Sequence, residues 1–270
     1  MPRLGVLGWP VTHSRSPRMH RAALAALRLD DWSYQHLPAP PELFADVVAG
    51  LPGAGFRGAN VTIPHKQAAL ALATDPTPRA RAIGAANTLA FVDGAIRADN
   101  TDAPGLLAAL GEEVAGRRAL VLGAGGSARA AVYALLSAGA DVQVWNRTPE
   151  RARALVGELG GRAVERLEPA ELLVNCTAAG LQDPATTFKH LPVDADAMGK
   201  YALVVDLVYA ASGDTALISA ARRGGSATVD GLEVLVHQGA LSLQQWTGSA
   251  APIAVMREAA RGLPHLSSQR

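Results

Sequence analysis

A glycine-rich turn between an apolar strand and a helix constrains the fold of this chain more than any other feature. Residues 119–122 are apolar, residues 123–126 read Gly-Ala-Gly-Gly, and residues 127–130 have helical character. This is the Gly-x-Gly-x-x-Ala form of the dinucleotide-binding fingerprint. In it Gly123 makes the turn, Gly125 lets the backbone approach a pyrophosphate, and Ala128 allows close helix packing. The pattern predicts a Rossmann-like unit.

The residues that would read the ribose follow the next strand, residues 141–145, which ends about 20 residues after the glycine turn. None of Asn146, Arg147 and Thr148 is acidic, and Arg151 lies one helical turn further on. An acidic residue here selects a free 2′-hydroxyl, whereas arginine pairs with a 2′-phosphate. The sequence therefore favours NADP over NAD. The alternative for both arginines is a solvated helix start, although basic charge there opposes the helix dipole.

A second stretch, Gly58-Ala-Asn-Val-Thr-Ile-Pro-His-Lys66, predicts a buried strand followed directly by a helix. Its β-branched residues suit a strand, and its proline ends the strand and suits a first helical turn. Asn60, Thr62 and Lys66 would converge at this junction, where polar groups can meet a small ligand. A lysine there can move a proton or hold a developing alkoxide. The alternative for Lys66 is a surface lysine after an ordinary turn.

Two further helix starts carry polar groups. Ser16 followed by Pro17 predicts a helix capped by the Ser16 hydroxyl. Ser14 and Ser16 would lie at the positive end of that helix, where a carboxylate or phosphate binds well, although capping alone is the simpler role. Asp102 would lie at or near the N-cap of a helix over residues 106–110. Its carboxylate could cap that helix and keep one oxygen free.

Strands alternate with helices along the chain, which predicts an α/β fold with mainly parallel sheets. The chain has 270 residues, 49% of them apolar, which fits one large domain or two of ordinary size. A net charge of +1, with scattered lysines and arginines, argues against a nucleic-acid surface. Cys176 is the only cysteine, so no internal disulfide or cysteine metal site is expected, and a reducing cytoplasm is the natural compartment.

Other segments predict local structure and possible ligand contacts. Residues 234–256 lack formal charge but are broken by polar residues and proline, which predicts soluble helices and no membrane span. Asp93-Gly94 predicts a hairpin turn. Asn175 and Thr177 end a buried strand and could line the cofactor, and Gln238 could point from a helix into a cleft.

Taken together, separated stretches resemble the shikimate dehydrogenase family. They occur in the order and spacing of that family and span nearly the whole chain. The resemblance implies NADP-dependent interconversion of shikimate and 3-dehydroshikimate, on the way to aromatic amino acids, by a cytoplasmic monomer or homodimer without a metal. The matching stretches are Ser14-Arg-Ser16-Pro17, Asn60-Val-Thr-Ile-Pro-His-Lys66, Ile83-Gly-Ala-Ala-Asn87-Thr, Asn100-Thr-Asp102, Gly123-Ala-Gly-Gly-Ser-Ala-Arg129, Asn146-Arg-Thr148, Asp206-Leu-Val-Tyr209 and Gly231-Leu-Glu-Val-Leu-Val-His-Gln238.

The resemblance also implies residue roles. Lys66 and Asp102 would form the catalytic pair. Lys66 would take the proton of the reacting hydroxyl as hydride leaves for the nicotinamide, or act as an electrostatic clamp, and Asp102 would orient it. Ser14 and Ser16 would hold the substrate carboxylate. The remaining substrate contacts would be Thr62, Lys66, Asn87, Asp102, Tyr209 and Gln238. NADP would be lined by Gly123, Ala124, Gly125, Gly126, Ser127, Asn146, Arg147, Thr148, Arg151, Leu207 and Gly231.

The resemblance further implies two domains, with the active site in the cleft between them. Residues 1–101 plus 236–270 would form the substrate domain, and residues 102–235 an inserted Rossmann-like NADP-binding domain. The sequence departs from the family at Ala211, where proline is usual, in the loop after Tyr209. Three rival classes stay open: a relative that also oxidises quinate, a folate-linked NADP dehydrogenase, and a non-catalytic NADP-binding regulator. The presence of both Lys66 and Asp102 argues against the regulator.

Overall fold

The structure is a computed structural model that describes residues 1–111, 113–210 and 213–262. The predicted α/β fold with mainly parallel sheets is confirmed. Two compact units are present: Met1–Thr101 together with the chain from Leu235 onward, here called the discontinuous unit, and Asp102–Val234, the central unit. The departure from the family pattern at Ala211 lies outside the described residues.

Each unit contains one six-stranded sheet. The strands are β1 (Arg3–Gly8), β2 (Ser33–Pro38), β3 (Phe56–Val61), β4 (Asp75–Pro76), β5 (Thr88–Val92), β6 (Ala95–Asp99), β7 (Arg118–Leu122), β8 (Asp141–Trp145), β9 (Arg162–Ala163), β10 (Leu172–Asn175), β11 (Leu203–Asp206) and β12 (Ala227–Val229). The α-helices are α1 (Ser16–Ala26), α2 (Phe44–Gly50), α3 (Lys66–Ala71), α4 (Pro78–Ile83), α5 (Asp102–Leu110), α6 (Gly126–Ser137), α7 (Pro149–Leu159), α8 (Thr187–His190), α9 (Ala216–Arg223), α10 (Gly231–Thr247) and α11 (Ile253–Arg261).

The sheet of the discontinuous unit has the order β2-β1-β3-β5-β6-β4. β1 pairs in parallel with β2 and β3, and β5 runs antiparallel to β3 and β6. The predicted hairpin at Asp93-Gly94 is confirmed, because it joins β5 to β6 and both residues have the positive φ angles that its tight turn requires (49° and 78°).

Both faces of this sheet are buried because successive side chains of a strand point to opposite sides. Leu4 and Val6 of β1 pack with α1, α10 and α11, whereas Leu7 packs with α2 and β5 on the other face. The core that contains Leu4 and Val6 therefore needs the C-terminal helices α10 and α11, which supply Val236, Ala240, Leu243, Met256 and Ala260.

The sheet of the central unit is entirely parallel, in the order β12-β11-β10-β7-β8-β9. β7 is a continuous apolar strand buried on both faces: Ala119 and Val121 face one core, and Leu120 and Leu122 face the other. Because β7 lies between β8 and β10, the strand order reverses there. The carboxyl end of β7 is thus a topological switch point, where α/β sheets of this kind bind ligands. Within the described ranges, every helix falls short of the length and apolar character that crossing a bilayer requires.

Candidate active site

Lys66 is the first residue of α3, and backbone hydrogen bonds fix its position at the junction after β3. The Thr62 amide donates to the Leu7 carbonyl at 2.8 Å, which holds the end of β3 beside β1. The Ala86 amide donates to the Lys66 carbonyl at 2.8 Å, just before Asn87. Thr62 and Lys66 are both half-buried. The junction therefore presents a hydroxyl and an ammonium group from a rigid backbone.

His65 supports the same junction, although no sequence pattern singled it out. Its ring stacks on Phe44 with centroids 4.2 Å apart, and its Nε2 lies 2.7 Å from the Ala39 carbonyl, to which it donates. Burial lowers the pKa of His65, and the hydrogen bond to Ala39 offsets part of that effect. The neutral, buried imidazole of His65 thus holds the start of α3 against the loop after β2.

The Asn60 side chain does not lie where the sequence analysis predicted it. It was expected to meet a ligand beside Thr62 and Lys66, but it is 5% exposed and bonded inward. Tyr34 Oη donates to Asn60 Oδ1 at 2.8 Å, and Asn60 Nδ2 donates to Ser242 Oγ at 2.8 Å. These bonds place the Asn60 side chain in the interior, toward Ser242 of α10, rather than at a ligand surface.

Asn87 and Gln238 are brought together by the structure, as two of the predicted substrate contacts. Asn87 Nδ2 donates to Gln238 Oε1 at 3.0 Å, although the two residues are 151 positions apart in sequence. The Thr101 amide donates to Asn87 Oδ1 at 2.7 Å, which fixes the orientation of the Asn87 amide. Gln238 Nε2 donates to the Leu235 carbonyl at 2.8 Å. The pair is therefore a preorganised amide cluster.

Ser14 and Ser16 lie at the start of α1, but the predicted cap at Ser16 is wrong. The helix begins at Ser16, its N-cap residue is Arg15, and Ser16 is buried. Instead, the Ser14 hydroxyl accepts a hydrogen bond from the Ser16 amide at 3.3 Å. The hydroxyl that bonds a backbone amide at this helix start thus belongs to Ser14 and not, as expected, to Ser16. A proline near the helix start fits either register, so the sequence signal did not distinguish them. Both hydroxyls remain close to the positive end of α1.

Asp102 and Tyr209 belong to the central unit, whereas Ser14, Ser16, Thr62, Lys66, Asn87 and Gln238 belong to the discontinuous unit. Asp102 is the first residue of α5, which begins four residues before the predicted helix. A carboxylate at this position interacts favourably with the positive end of the helix dipole. Tyr209 is half-buried and follows β11 by three residues.

The glycine turn after β7 has the geometry that a pyrophosphate requires. Gly123 has φ +114°, and a Cβ there would lie 3.3 Å from the Cys176 backbone, so only glycine fits without strain. Gly125 is the exposed N-cap residue of α6, and a Cβ there would meet no atom within 4 Å. Ala124, Gly126 and Ser127 are half-buried. The space beside Gly125 at the N-terminus of α6 is therefore open, and a helix N-terminus is where an anion binds well.

A pocket of about 300 Å³ lies beside this turn, between the chain segments that follow β8 and β10. Among its described lining residues none is acidic, and Arg153, which lies outside it, pairs with Glu150 and Glu165. Neither Arg147 nor Arg151 forms an ion pair with any residue that the structure describes. The lining includes Asn146, Arg147, Thr148, Arg151, Thr177 and His190.

His190 was missed by sequence reasoning. It is exposed at the end of α8, 13 residues after Thr177, and only the return of the chain from β10 brings it to this pocket. No short motif marks it. Two guanidinium groups and an imidazole thus surround a pocket free of described carboxylates, which is the charge pattern that a phosphate needs.

Leu207 and Gly231 are in contact at the next strand end. A Cβ on Gly231 would lie 2.6 Å from the Leu207 carbonyl, so glycine permits this close approach. Asp206 anchors the segment before them: it is 1% exposed and accepts from Asn175, Thr215 and the Val208 amide at 2.9, 2.6 and 3.1 Å. Burial raises the pKa of Asp206 to about 6, and these three hydrogen bonds oppose that rise.

No group of three or more potential metal-ligating side chains occurs within residues 1–111, 113–210 and 213–262. The central unit, with its parallel sheet and glycine turn at the switch point, has the architecture of a dinucleotide-binding domain.

Comparisons with known proteins agree along the chain. Residues 6–89 match the shikimate dehydrogenase substrate binding domain, residues 106–208 the shikimate / quinate 5-dehydrogenase family, and residues 231–261 the shikimate 5′-dehydrogenase C-terminal domain. The chain is 47% identical over 266 residues to an NADP(+) shikimate dehydrogenase of Methylobacterium radiotolerans, covering 92% of each chain. It is 45% identical to an NADP(+) shikimate dehydrogenase of Thermus thermophilus, covering 97% of this chain and 98% of the relative.

Among solved structures, a shikimate 5-dehydrogenase from Thermus thermophilus, in complex with NADP(H) and shikimate, superposes with a TM-score of 0.86. The two chains are 44% identical, and the match covers 97% of this chain and 99% of the other. The chain belongs to the shikimate dehydrogenase family.

Proposed function

We propose that this protein is an NADP-dependent oxidoreductase that interconverts 3-dehydroshikimate and shikimate. The main support is the arrangement around Lys66, where a half-buried lysine begins α3 beside the chain segment of Asn87. Family membership and the two named relatives, 47% and 45% identical to this chain, support the same activity. The hydroxyls of Ser14 and Ser16, at the positive end of α1, would bind the substrate carboxylate.

The central unit fits NADP on three observations. Gly123 and Gly125 leave room for a pyrophosphate at the start of α6. The pocket with Arg147 and Arg151 offers charges for a 2′-phosphate. The close approach of Gly231 to Leu207 shapes the segment after β11. We assign the cofactor contacts to Gly123, Ala124, Gly125, Gly126, Ser127, Asn146, Arg147, Thr148, Arg151, Leu207 and Gly231. When bound, the cofactor would supply or accept the hydride.

The remaining chemistry belongs to this chain. In the oxidation direction the Lys66 amine accepts the proton of the reacting hydroxyl, and in the reduction direction its ammonium returns that proton to the carbonyl oxygen. The Asp102 carboxylate is the second member of the catalytic pair and stabilises the charge on lysine. Thr62, Asn87, Gln238 and Tyr209 orient the ring hydroxyls. The half-buried position of Lys66 limits competition from water.

The deciding experiment follows nicotinamide absorbance with purified protein, NADP and shikimate, beside Lys66→Ala and Gln67→Ala. Gln67 is the exposed next residue of α3, so its variant controls for changes in the helix. We expect Lys66→Ala to lower kcat by at least about 100-fold, the usual contribution of a general acid–base group, and Gln67→Ala to remain near wild type. Tight NADP binding without turnover of shikimate or quinate would favour a non-catalytic NADP-binding regulator and would contradict the catalytic proposal.

Quinate oxidation is the second candidate, because the family that residues 106–208 match is named for both substrates. The same assay with quinate, and with NAD in place of NADP, separates the two. We expect shikimate with NADP to give the highest kcat/KM. The uncompensated Arg147 and Arg151 support this cofactor preference. A higher kcat/KM with quinate, or with NAD, would instead identify the protein as a quinate/shikimate dehydrogenase with broader substrate or cofactor use.

We also infer a cytoplasmic protein that works as a monomer or homodimer. The single cysteine, Cys176, is half-buried and suits a reducing compartment. Light scattering during gel filtration measures the oligomeric state directly, and a mass above twice 27.9 kDa would contradict the proposal.

A further inference from the structure

A continuous hydrogen-bond network lies beneath the proposed substrate contacts of the discontinuous unit. It joins β3, β5, the end of β6 and α10, and its members are at most 6% exposed. The network consists of Asn60, Asn87, Thr88, Thr101, Gln238 and Ser242. Buried polar groups of this kind act as a unit, because each bond determines which atom of the next residue donates.

Ser242 is the branching point of the network, and its donor and acceptor roles follow from the inventory of hydrogens. Its single hydroxyl hydrogen is donated to the Gln238 carbonyl at 3.0 Å, one turn earlier in α10. Its oxygen accepts Asn60 Nδ2 at 2.8 Å, since Asn60 Oδ1 is already occupied by Tyr34. The Thr88 and Thr101 hydroxyls, 2.9 and 3.1 Å away, are both positioned to donate to the remaining lone pair.

The Thr101 backbone amide fixes the orientation of the Asn87 amide, and the two hydroxyls held by Ser242 flank it. The Thr101 oxygen accepts Asn87 Nδ2 at 2.9 Å, and the Thr88 hydroxyl lies 3.2 Å from Asn87 Oδ1. The other Asn87 hydrogen goes to Gln238 Oε1 at 3.0 Å, and Gln238 Nε2 gives one hydrogen to the Leu235 carbonyl. One Nε2 hydrogen of Gln238 is thereby left for a substrate oxygen.

Loss of the Ser242 oxygen would change this pattern. The Thr88 and Thr101 hydroxyls each lie 3.2 Å from a second acceptor, Asn87 Oδ1, and would turn to it. Asn87 Oδ1 already accepts the Thr101 amide and has only one lone pair left, so the competing hydroxyls would pull the Asn87 amide away from its present geometry. The consequence reaches Gln238, because its Oε1 is held by the same Asn87 group.

We propose that Ser242 is a positioning residue for substrate binding, because its oxygen holds the two hydroxyls that flank Asn87, and the Asn87 amide in turn keeps Gln238 as a donor toward a substrate hydroxyl. This inference rests on the proposed function, in which Asn87 and Gln238 bind the ring hydroxyls. Ser242 itself is 0% exposed and acts only through these two residues. The signal is absent from short motifs, since the members of the network are up to 182 positions apart.

The experiment compares Ser242→Ala with Thr247→Val. Thr247 is the matched control, because its hydroxyl also bonds a carbonyl one turn earlier in α10, that of Leu243 at 2.9 Å. We expect Ser242→Ala to raise KM for shikimate about tenfold, the loss of roughly one well-made hydrogen bond, with KM for NADP within about twofold of wild type. Thr247→Val should leave both KM values near wild type. Ser242→Cys, with a weaker donor and acceptor, should be intermediate.

A crystal structure of Ser242→Ala supplies a readout that does not depend on activity. We expect Gln238 Oε1 to move out of hydrogen-bond distance of Asn87 Nδ2. The proposal is overturned if the pair keeps its geometry, if both KM values change in parallel, or if Ser242→Ala behaves like Thr247→Val. If the wild-type protein does not oxidise shikimate, the proposed function fails, and the crystal structure alone then decides the role of Ser242. If Ser242→Ala does not fold, Ser242→Cys is assayed and crystallised in its place.

Discussion

His20 is a fully buried imidazole on α1 whose ring nitrogens form no hydrogen bond with any residue that the structure describes. Its ring stacks on Tyr34, with centroids 4.3 Å apart and an angle of 5° between the rings. Burial lowers the pKa of His20 from 6.5 to about 3, because the charged form would have no solvent around it, and the neighbouring Asn60 side chain offsets only part of that effect. The folded protein therefore keeps His20 neutral under conditions in which the unfolded chain protonates it.

This difference predicts that His20 makes the stability of the protein sensitive to acid. Its stabilising contribution is complete above pH 6.5 and is lost as pH falls toward about 3. The free energy of unfolding should fall by up to about 1.4 kcal/mol per pH unit in that window because of this one group. His20→Phe removes the group and keeps an aromatic ring against Tyr34.

Urea unfolding at a series of pH values measures the effect. We expect a flatter dependence of unfolding free energy on pH for His20→Phe than for the wild type. Some dependence will remain, since burial also lowers the pKa of His65. A packing defect in the variant would shift stability equally at every pH, so parallel curves for the two proteins would contradict the prediction.

At the scale of single residues, the sequence predicted the positions that short motifs mark. Lys66 was placed correctly at a strand–helix junction because proline and β-branched residues act locally. The Ser16 cap was wrong because a shift of one or two residues in a helix start leaves the same local pattern. Ser242 could not be predicted, because its role depends on partners that are distant in sequence, on β3, on β5 and in the segment after β6.

Helix α10 packs directly on β3, and the contact depends on the absence of a side chain at Gly58. A Cβ there would collide with the indole Nε1 of Trp246 and lie 2.5 Å from the Leu89 carbonyl. The indole cannot withdraw without losing its own hydrogen bond, in which Nε1 donates to Leu89 at 2.9 Å. The helix therefore approaches the sheet closely at this point.

Gly58→Ala should consequently destabilise the protein by about 1–3 kcal/mol, the usual cost of adding a methyl group to a close-packed interior. Gly50→Ala is the control: it lies at the end of α2, and a Cβ there would meet no atom within 4 Å. Chemical denaturation of both variants tests the prediction, and Gly50→Ala should be neutral or slightly stabilising. Equal stability of Gly58→Ala and wild type would show that the helix can shift away from β3.

At the scale of elements, local chemistry predicted the hairpin at Asp93-Gly94 and the glycine turn after β7, since both need backbone angles that few residues adopt. The start of α5 was placed four residues too late, because Pro104 and Gly105 suit a turn as well as they suit the first turn of a helix. α8, with His190, gave no signal because a helix of four residues has no periodicity. Its place beside Arg147 results from strand order alone.

The whole molecule consists of one unit that is continuous in sequence and one that is not. The core of the discontinuous unit joins Leu4, Val6 and Met19 with Leu243 and Met256. Patterns of strands and helices predicted an α/β chain, and the family resemblance implied an insertion between two parts of a domain. Which apolar faces meet could not be read from periodicity, because every amphipathic helix offers a similar stripe.

Asp206 and His20 respond to acid in opposite ways, and they lie in different units. The folded pKa of Asp206, about 6, lies above its ordinary value of 3.8. The folded central unit therefore binds a proton more tightly than the unfolded chain, and Asp206 adds stability as pH falls from about 6. The carboxyl groups whose pKa is lowered, such as Glu158 and Asp99, stabilise the fold above their ordinary values of 4.5 and 3.8, and that contribution is lost only as pH falls below those values.

Between pH 6 and 4.5, mild acid should therefore weaken the discontinuous unit through its buried imidazoles while strengthening the central unit. We expect a half-folded intermediate, in which the central unit outlasts the other during urea denaturation at pH 4.5, whereas the two transitions lie closer together at pH 7. Tryptophan fluorescence can separate them, because Trp145 reports on the central unit and Trp9, Trp32 and Trp246 on the discontinuous unit. Coincident transitions at pH 4.5 in variants that keep only Trp145 or only Trp246 would contradict this. Acid would thus separate the unfolding of the two units, because the buried imidazoles of one and the Asp206 carboxyl group of the other respond to protons in opposite directions.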